Sequence, residues 1–196
     1  GFFLLNEGNM GSNKATLDYF DYETGIYHKN IYAERNPGVV QELGDVGNDI
    51  QIYGNKLYAI INCSHFVEVM NVETAKHITQ ISIPNCRYIV FKDKYAYVSS
   101  YAGPVKIDPN ARLGYVARVD TTTLTVKDTC VVGYQPEEMV IVGNKLYVAN
   151  SGGYRVPNYD RTVSVIDLNT FKVIKTIDVG INLHRMELDQ YGNIYV

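Results

Sequence analysis

Two segments of this sequence hold most of the side chains that could bind a ligand. Segment 150–161 offers two aromatic rings, two guanidinium groups and a carboxylate beside a Gly-Gly pair: Tyr154, Arg155, Tyr159, Asp160 and Arg161. Segment 99–114 adds Tyr101, Lys106, Asp108 and Arg112. Tyrosine provides a flat apolar face with a hydrogen-bonding tip, and arginine can stack or grip a carboxylate or phosphate. The mixture predicts a binding surface for a flat, polar ligand. The alternative is that the tyrosines cover a sheet edge while Arg161 pairs with Asp160.

A second set of candidates recurs at one position, two residues before the first apolar residue of a predicted strand. Aligning Met139 with Met186 and Ile50 with Ile89 makes four residues equivalent, with Arg185 adjacent to the last: Asn48, Arg87, Glu137 and His184. A metal ion held by Asn48, Glu137 and His184 is one interpretation. Arg87 argues against it, because a fixed cation repels a metal ion and neutralises Glu137. We therefore predict a ligand-binding rim of Arg87, Glu137, His184 and Arg185, with no metal and no other cofactor.

Sequence motifs for catalysis are missing. The four histidines, His28, His65, His77 and His184, do not fall in a His-Glu-x-x-His spacing, and there is no Gly-x-Ser-x-Gly. His28 and His77 lie in predicted outer strands, where a solvated imidazole is expected. His184 is the histidine to test first, and an acid–base role for it would require a carboxylate within hydrogen-bond reach.

The elements that must position these residues are repeats. Tyr58, Tyr97, Tyr147 and Tyr195 each follow a Lys or Asn by two or three positions, at spacings of 39, 50 and 48 residues. A period of this length matches one four-stranded propeller blade. The two longer spacings are explained by the enlarged segments 99–114 and 150–161.

Each repeat contains the same sequence of strand and turn signals. An alternating apolar strand precedes a tight turn such as Gly54-Asn55 or Gly143-Asn144, because Gly and Asn tolerate the positive φ of hairpin turns. The strand carrying the repeated tyrosine follows, and the next strand ends in an Asx residue with threonine three positions later. Such a pair can bond turn amides. We therefore assign the Asx residues Asp21, Asn71, Asp120 and Asp167 to the scaffold and not to a site.

The repeats predict an all-β fold, a β-propeller of four-stranded antiparallel blades, with this chain covering about half of a roughly seven-bladed propeller. We predict one incomplete domain, 1–196, with repeat units 1–46, 47–86, 87–135, 136–184 and a partial unit 185–196. In this strand order the enlarged loops and the crossings between blades emerge on one face, around the central tunnel. That face is the predicted binding site.

Composition narrows the classes of partner. The net charge is −3, from 18 basic and 21 acidic residues without a basic block, which argues against nucleic acid and anionic membranes as partners. No apolar run approaches the roughly 20 residues of a membrane-spanning helix, so no transmembrane segment is predicted. Three cysteines lack metal or redox spacing. Free buried thiols are expected, and a bridge between Cys63 and Cys86 stays open.

The segment Tyr147-Val148-Ala149-Asn150, followed by Thr162 to Asp167 and Val173 to Gly180, resembles the YVTN-repeat, surface-layer-type (YncE-like) β-propeller family. The resemblance runs over most of the chain and is poorest in the first unit. The opening Phe3 to Asn9 and the Asn- and Tyr-rich style resemble secreted propellers of gut Bacteroidetes, including the BtuG type that captures cobalamin at the cell surface. That resemblance implies a secreted or outer-membrane lipoprotein location, a corrinoid as a candidate ligand, and association with an outer-membrane transporter.

The sequence thus predicts a non-enzymatic secreted or cell-surface propeller that binds a small molecule, a glycan or a protein on its loop face. The predicted contact residues are Tyr101, Arg112, Tyr154, Arg155, Tyr159, Arg87, Glu137, His184 and Arg185. Two alternatives stay open, a propeller lactonase or lyase and a structural surface-layer or adhesion module.

Overall fold

The computed structural model describes residues 1–39 and 42–196. The chain divides into two compact units, Gly1–Ile83 and Pro84–Val196. Each unit is built from antiparallel strands joined mainly by short turns. Every residue of the candidate functional site lies in the second unit.

The first unit contains a three-stranded and a four-stranded sheet, each with strands in chain order. The three-stranded sheet consists of β1 (Phe2–Asn6), β2 (Thr16–Phe20) and β3 (Tyr27–His28), which is followed by the helix α1 (Ile31–Arg35). The four-stranded sheet consists of β4 (Gly47–Tyr53), β5 (Lys56–Ile61), β6 (Phe66–Asn71) and β7 (His77–Ser82).

The second unit contains two four-stranded sheets and one strand pair. The first sheet has β8 (Cys86–Lys92), β9 (Tyr95–Ser100), β10 (Tyr115–Asp120) and β11 (Thr125–Val131). The second has β12 (Pro136–Val142), β13 (Lys145–Asn150), β14 (Thr162–Asp167) and β15 (Lys172–Asp178), and the strand pair is β16 (Glu187–Leu188) with β17 (Ile194–Tyr195). The first strands of the two sheets, β8 and β12, pack against each other, and their last strands, β11 and β15, also make contact.

The turns follow the predicted chemistry. Gly54 and Gly143 adopt φ values of 60° and 58°, which the hairpin turns after β4 and β12 require. At the end of β14 the Asp167 carboxylate accepts the backbone N–H of Thr170 at 2.9 Å, and the same bond joins Asp120 to Thr123 at 2.9 Å. The prediction that these Asx residues organise turns is therefore confirmed.

The repeated tyrosines differ in burial. Tyr58 is 1% exposed and Tyr97 is 2% exposed, as expected of scaffold residues. Because Tyr147 recurs at the same repeat position, the sequence predicts a mostly buried ring there as well, but Tyr147 is only partly buried, and Tyr195 is 60% exposed. Residue 147 lies on β13 between the buried Leu146 and Val148, so its ring extends from the opposite side of the sheet.

One short helix is an element that the repeat pattern does not predict. Ile31 and Tyr32 of α1 are buried in the core of the first unit, against Leu17 of β2. Asn36 ends the helix, and its side-chain amide donates to the carbonyl oxygens of Tyr32 and Ala75 at 2.8 and 2.9 Å. The helix is therefore held on the four-stranded sheet by side-chain contacts rather than by strand pairing.

Two further expectations concern membranes and cysteines. Across residues 1–39 and 42–196, no helix is long and apolar enough to cross a membrane. Cys63, Cys86 and Cys130 are thiols and not parts of disulfides, as expected, so the bridge between Cys63 and Cys86 that the sequence left open is not present.

Candidate functional site

Glu137 is the centre of a buried polar cluster in the second unit. It lies near the start of β12 and is 2% exposed. Its Oε2 accepts a hydrogen bond from Arg87 Nε of β8 at 3.0 Å. Its Oε1 accepts the hydroxyl of Tyr101, and the hydroxyl of Ser151 lies 3.2 Å from the same oxygen. Two sheets and both enlarged loops therefore meet on one carboxylate.

The ionisation states of this cluster are fixed by its contacts. Burial lowers the pKa of Arg87, but the charge and hydrogen bond of Glu137, together with the neighbouring Tyr101 and Tyr88, outweigh burial and raise the pKa overall, so the guanidinium stays protonated. Burial raises the pKa of Tyr101 well above its usual range, and Glu137 raises it further. The phenol therefore remains a hydrogen-bond donor to the carboxylate.

His184 is the member of the predicted rim that combines exposure with a carboxylate neighbour. Its side chain is 46% exposed, and Nε2 lies 3.7 Å from Oε2 of Glu137. The ring of Tyr88 packs edge-on against the imidazole, with 6.0 Å between ring centroids. Arg185, the next residue, extends over the same tyrosine ring and forms an ion pair with Glu138. Glu137 is therefore next to His184, but 3.7 Å is longer than a hydrogen bond, so the acid–base contact is not formed in this structure.

The two enlarged loops contact each other. The backbone N–H of Asp108 donates to the carbonyl of Tyr154 at 2.8 Å, and the rings of Tyr101 and Tyr154 lie 6.3 Å apart in a T-shaped arrangement. The backbone N–H of Tyr154 donates to the side-chain oxygen of Gln135 at 2.6 Å. We call residues 99–114 and 150–161, together with His184 and Arg185, the insertion surface.

Arg155 holds the two loops together. Its guanidinium donates to the carbonyl of Asn158 at 2.6 Å and to that of Pro109 at 3.2 Å. The same group lies over the ring of Tyr134, 3.5 Å from the centroid. These contacts tie the guanidinium to both loops, so Arg155 positions the insertion surface.

Asp160 fixes the base of the second loop. Its Oδ1 accepts the N–H and the hydroxyl of Thr162 at 3.0 and 2.7 Å, and its Oδ2 accepts the N–H of Tyr134 at 2.8 Å. Arg161 forms its ion pair with Asp178 at 2.9 Å. The alternative pairing of Arg161 with Asp160 is therefore wrong, since Asp160 bonds backbone amides and a hydroxyl.

Several predicted contact residues are exposed. Tyr154 is 37% exposed and Tyr159 is 38% exposed, and Arg112 also faces solvent. Arg87, Glu137 and Tyr101 are instead largely buried in contacts with one another. The exposed residues can touch a ligand directly, whereas the buried ones support them. Sequence reasoning missed the supporting roles of Tyr88, Gln135, Ser151 and Glu138, which depend on contacts between loops.

Another buried carboxylate lies in the first unit and is not among the predicted site residues. Glu68 of β6 is fully buried, and its Oε1 lies 2.5 Å from Nδ1 of His77. Burial raises the pKa of Glu68, and hydrogen bonds from His77, Gln80 and Tyr32 partly oppose that rise. His77 lies in β7, the outer strand, as predicted, but it pairs with this carboxylate and is not simply a solvated imidazole. The alternating pattern of β6 gave no signal for it.

The described residues do not form a metal-ion site of the usual kind. Within residues 1–39 and 42–196, no three His, Cys, Asp or Glu side chains are grouped so that they could hold a metal ion. The Glu137 carboxylate is already bonded to Arg87, Tyr101 and Ser151. The site can therefore stack a ring, donate and accept hydrogen bonds, and present one imidazole.

The class of fold is shown by solved structures with the same architecture. Kuenenia stuttgartiensis hydrazine synthase matches with a TM-score of 0.71 and 17% identity over 90% of this chain and 47% of that chain. Dihydro-heme d1 dehydrogenase NirN in complex with DHE matches with a TM-score of 0.61 and 10% identity, over 91% of this chain and 35% of that one. The WD40 β-propeller domain of Doa1 matches with a TM-score of 0.59 and 16% identity, over 76% and 47%. The chain thus has a β-propeller fold and spans less than half of each of these chains.

Sequence comparison gives the family. The chain belongs to the family described as "Domain of unknown function (DUF5074)", whose model matches residues 1–196. No curated protein matches the chain in sequence.

Proposed function

We propose that this chain is part of a non-catalytic β-propeller that binds a flat, polar ligand on its insertion surface. The proposal rests on the convergence of both enlarged loops on the buried carboxylate of Glu137. Tyr154 and Tyr159 of the second loop and the imidazole of His184 stay partly exposed. Loops longer than the fold requires commonly carry binding residues, and exposed rings on a rigid support are suited to stacking.

A binding role is favoured over hydrolysis or elimination because the polar groups of the site are already bonded to other groups of the protein. Glu137 is engaged by an arginine and two hydroxyl groups, so it is poorly placed to accept a proton from a substrate. Arg155 is likewise occupied by carbonyl oxygens and an aromatic ring. The exposed groups of the insertion surface include rings, one imidazole and the cations of Lys106, Arg112 and Arg185, a set that recognises shape, hydrogen bonds and negative charge.

Within this proposal a corrin or porphyrin macrocycle is the first ligand to test. Two observations support that class: the resemblance of the opening segment and repeats to cobalamin-capturing propellers, and the fold likeness to a protein described in complex with DHE. Tyrosine rings suit the flat face of a macrocycle, and Arg112 suits its peripheral carboxylate or amide groups. A glycan is the competing small ligand, because sugars also stack on tyrosine.

The test is direct binding. The 196-residue chain would be titrated with diaquacobinamide, haemin and a panel of oligosaccharides by isothermal calorimetry, and then compared with Tyr154→Ala and Tyr159→Ala. We expect one macrocycle to bind and each substitution to weaken binding by about tenfold, the loss of a stacking ring. Ile78→Ser, on β7 in the other unit, is the matched control and should bind as the unmodified chain does. Equal affinity in all variants would place the ligand elsewhere.

A protein partner is the second candidate, and a specific observation favours it. Ile107 is 72% exposed and Val156 is 40% exposed, both beside the contacts that join the two loops. Exposed aliphatic side chains at loop tips are of little use to a polar small ligand but are common at the centre of protein interfaces. If Ile107→Ser and Val156→Ser leave macrocycle binding unchanged, these two side chains do not contact the macrocycle and are available to bind a protein.

The YVTN and surface-propeller resemblance also supports a proposed location outside the cytoplasm, at the cell surface or in the periplasm. Cell fractionation of the native host, with protease accessibility on intact cells, tests that location. Recovery of the protein only inside spheroplasts would contradict it.

A further inference from the structure

A cavity of about 330 Å³ lies in the first unit and is lined by residues of helix α1 and of strands β6 and β7. Ligand pockets in proteins typically measure about 300 to 1,000 Å³, so this cavity accommodates one small ring and not a macrocycle. Its lining residues all lie in the first unit, whereas the insertion surface lies in the second. The cavity is therefore a candidate site of its own.

The polar wall of this cavity has a buried carboxylate behind it. Glu68 is 0% exposed, and its Oε1 lies 2.5 Å from Nδ1 of His77, which lines the cavity together with Gln80, the residue directly opposite Glu68 in the β6–β7 register. Among the residues that the structure describes, no donor lies close enough to bond the buried Oε2. Because Nδ1 faces Glu68 and 30% of the His77 side chain is exposed, Nε2 is the ring nitrogen that a ligand can reach.

The repeat itself does not require this pair of residues. When the sheets are aligned on their repeated tyrosines, the other two four-stranded sheets hold small or apolar residues at the same positions, Ala117 and Ser164 for Glu68 and Val126 and Val173 for His77. Burying a charged or polar group costs free energy that small apolar residues avoid. A ligand in the adjacent cavity accounts for that cost, which the scaffold does not.

A segment outside the repeat pattern completes the wall of the cavity. Helix α1 supplies Tyr32 to the lining, and Asn36, which ends the helix, accepts the backbone N–H of His77 at 2.8 Å. Ser64, from the turn after β5, also lines the cavity, and its Oγ accepts the backbone N–H of Asp45 at 2.8 Å. Segments longer than the fold requires commonly carry binding residues.

The charges around the cavity indicate which ligand it fits. The described lining residues include Glu42 but no lysine or arginine. Glu42 pairs with Lys14 at 2.9 Å, and that ammonium is 65% exposed, so solvent weakens its effect. With one proton between Glu68 and His77, this pair adds a second negative charge and Nε2 is a hydrogen-bond acceptor. The ring of Phe66 offers a face that attracts cations. Acceptors and negative charge thus surround a small, partly apolar space.

We propose that this cavity binds a small primary amine in its ammonium form. The ammonium group donates hydrogen bonds to Nε2 of His77 and to the Glu42 carboxylate, and the hydrocarbon part of the amine packs against Phe66 and Leu43. Glu68 is a positioning residue, because it holds the imidazole with the proton on Nδ1 and the lone pair on Nε2. Binding involves no covalent step and does not depend on the macrocycle proposed for the insertion surface.

The experiment titrates the full 196-residue chain at neutral pH with three probes that share a benzyl group and differ in charge: benzylamine, benzyl alcohol and phenylacetate. Ligand-observed NMR measures each dissociation constant. We expect benzylamine to bind, benzyl alcohol to bind at least about tenfold more weakly because it lacks a charged donor, and phenylacetate to show no binding. Failure of benzylamine to bind, or equal binding of the alcohol or the acid, overturns the proposal.

Carboxylate substitutions locate the binding. Glu42→Gln and Glu68→Gln should each weaken benzylamine binding by about tenfold and reduce its advantage over benzyl alcohol. Glu73→Gln is the matched control, because it removes an exposed carboxylate of the same unit that does not line the cavity. Thermal unfolding checks that Glu68→Gln is folded, and Glu42→Gln, at the partly exposed carboxylate, tests the site independently. Unchanged affinity in both variants, or an equal loss in Glu73→Gln, places the amine outside this cavity and contradicts the proposal.

Discussion

Arg87 Nε donates a hydrogen bond to Glu137 Oε2 across 3.0 Å, with 14% of the arginine side chain and 3% of the glutamate side chain exposed. The pair joins the first strands of two neighbouring sheets. It also sets the position of Tyr101 and Ser151, which bond the other carboxylate oxygen. A single buried ion pair thus connects the scaffold to both loops of the insertion surface.

Removing the cation of this pair should be costly. Arg87→Met leaves the Glu137 carboxylate buried without its cation, and loss of one partner of a buried pair typically costs about 3 to 5 kcal/mol. Urea unfolding at neutral pH measures the change. The matched control is Arg185→Ala, whose ion pair with Glu138 involves an arginine side chain that is 71% exposed. That surface pair should contribute about 1 kcal/mol or less. Equal losses in the two variants would contradict a buried, stabilising role for Arg87.

The repeated tyrosine of β9 should be a core residue. Tyr97 is 2% exposed, and its ring lies 5.9 Å from that of Phe171. Tyr97→Ala removes a large buried ring and leaves a cavity, for which we expect a loss of about 3 to 5 kcal/mol. Tyr191→Ala is the comparison, because that ring is 80% exposed. Chemical denaturation measures the stability of both variants. Strong destabilisation of Tyr97→Ala alone supports a scaffold role for Tyr97, and similar stability of the two variants contradicts it.

These results bear on how far the sequence predicts the structure. Sheet order and turn positions follow from local chemistry: positive φ at Gly54 and Gly143 and the Asx bonds of Asp120 and Asp167 involve residues at most three positions apart. Alternation of apolar residues then fixes which face of each strand is buried. The scaffold was therefore predictable from short-range patterns.

The roles of the candidate site residues were less predictable. Sequence placed Arg87, Glu137 and His184 at equivalent positions, but the burial of Arg87 and Glu137 depends on Tyr101 and Ser151, which reach them from loops. Helix α1 and the Glu68–His77 pair depend likewise on contacts between segments distant in sequence. No local pattern specifies such contacts. The sequence predicts Arg155 as a ligand-binding residue. In the structure it joins the two loops instead, because its guanidinium donates to the carbonyl of Pro109.

Asp18 should make the first unit sensitive to acid. It is 8% exposed, and it accepts hydrogen bonds from the N–H of Asn30 at 2.7 Å and the hydroxyl of Tyr27 at 2.7 Å. Burial by itself raises the pKa of Asp18, but the hydrogen bonds from Asn30, Tyr27 and Asn6 together lower it below 3.8. A carboxyl group with a depressed folded-state pKa contributes stability that is present above the unfolded value and lost as the pH falls through the folded value.

The corresponding measurement is the free energy of unfolding between pH 5 and pH 2, a range of about three units around the unfolded pKa of an aspartate. Asp18→Asn should be less stable than the unmodified chain at pH 5, and the difference should shrink as the pH falls below about 3.8. Tyr27→Phe removes one donor and should give a smaller effect in the same direction. Parallel curves for all three proteins would show that Asp18 is not linked to folding in this way.

Asp160 should be required for the shape of the second loop. Asp160→Ala leaves the N–H of Tyr134 and of Thr162 without their acceptor, and each unsatisfied buried donor costs about 1 to 3 kcal/mol. We expect a stability loss of that order and loss of macrocycle binding. Asp178→Ala removes only the exposed pair with Arg161 and should change both quantities little. If Asp160→Ala binds the macrocycle as tightly as the unmodified chain does, the ligand does not depend on this loop.

The central claim is that the ligand occupies the insertion surface of the second unit. Hydrogen–deuterium exchange of the chain, with and without a saturating macrocycle, locates the contact without any substitution. We predict slower exchange in residues 99–114, in residues 150–161 and around His184, and unchanged exchange at the hairpin turns Gly54-Asn55 and Gly143-Asn144. Protection at those hairpin turns, with the two loops unaffected, would contradict the account.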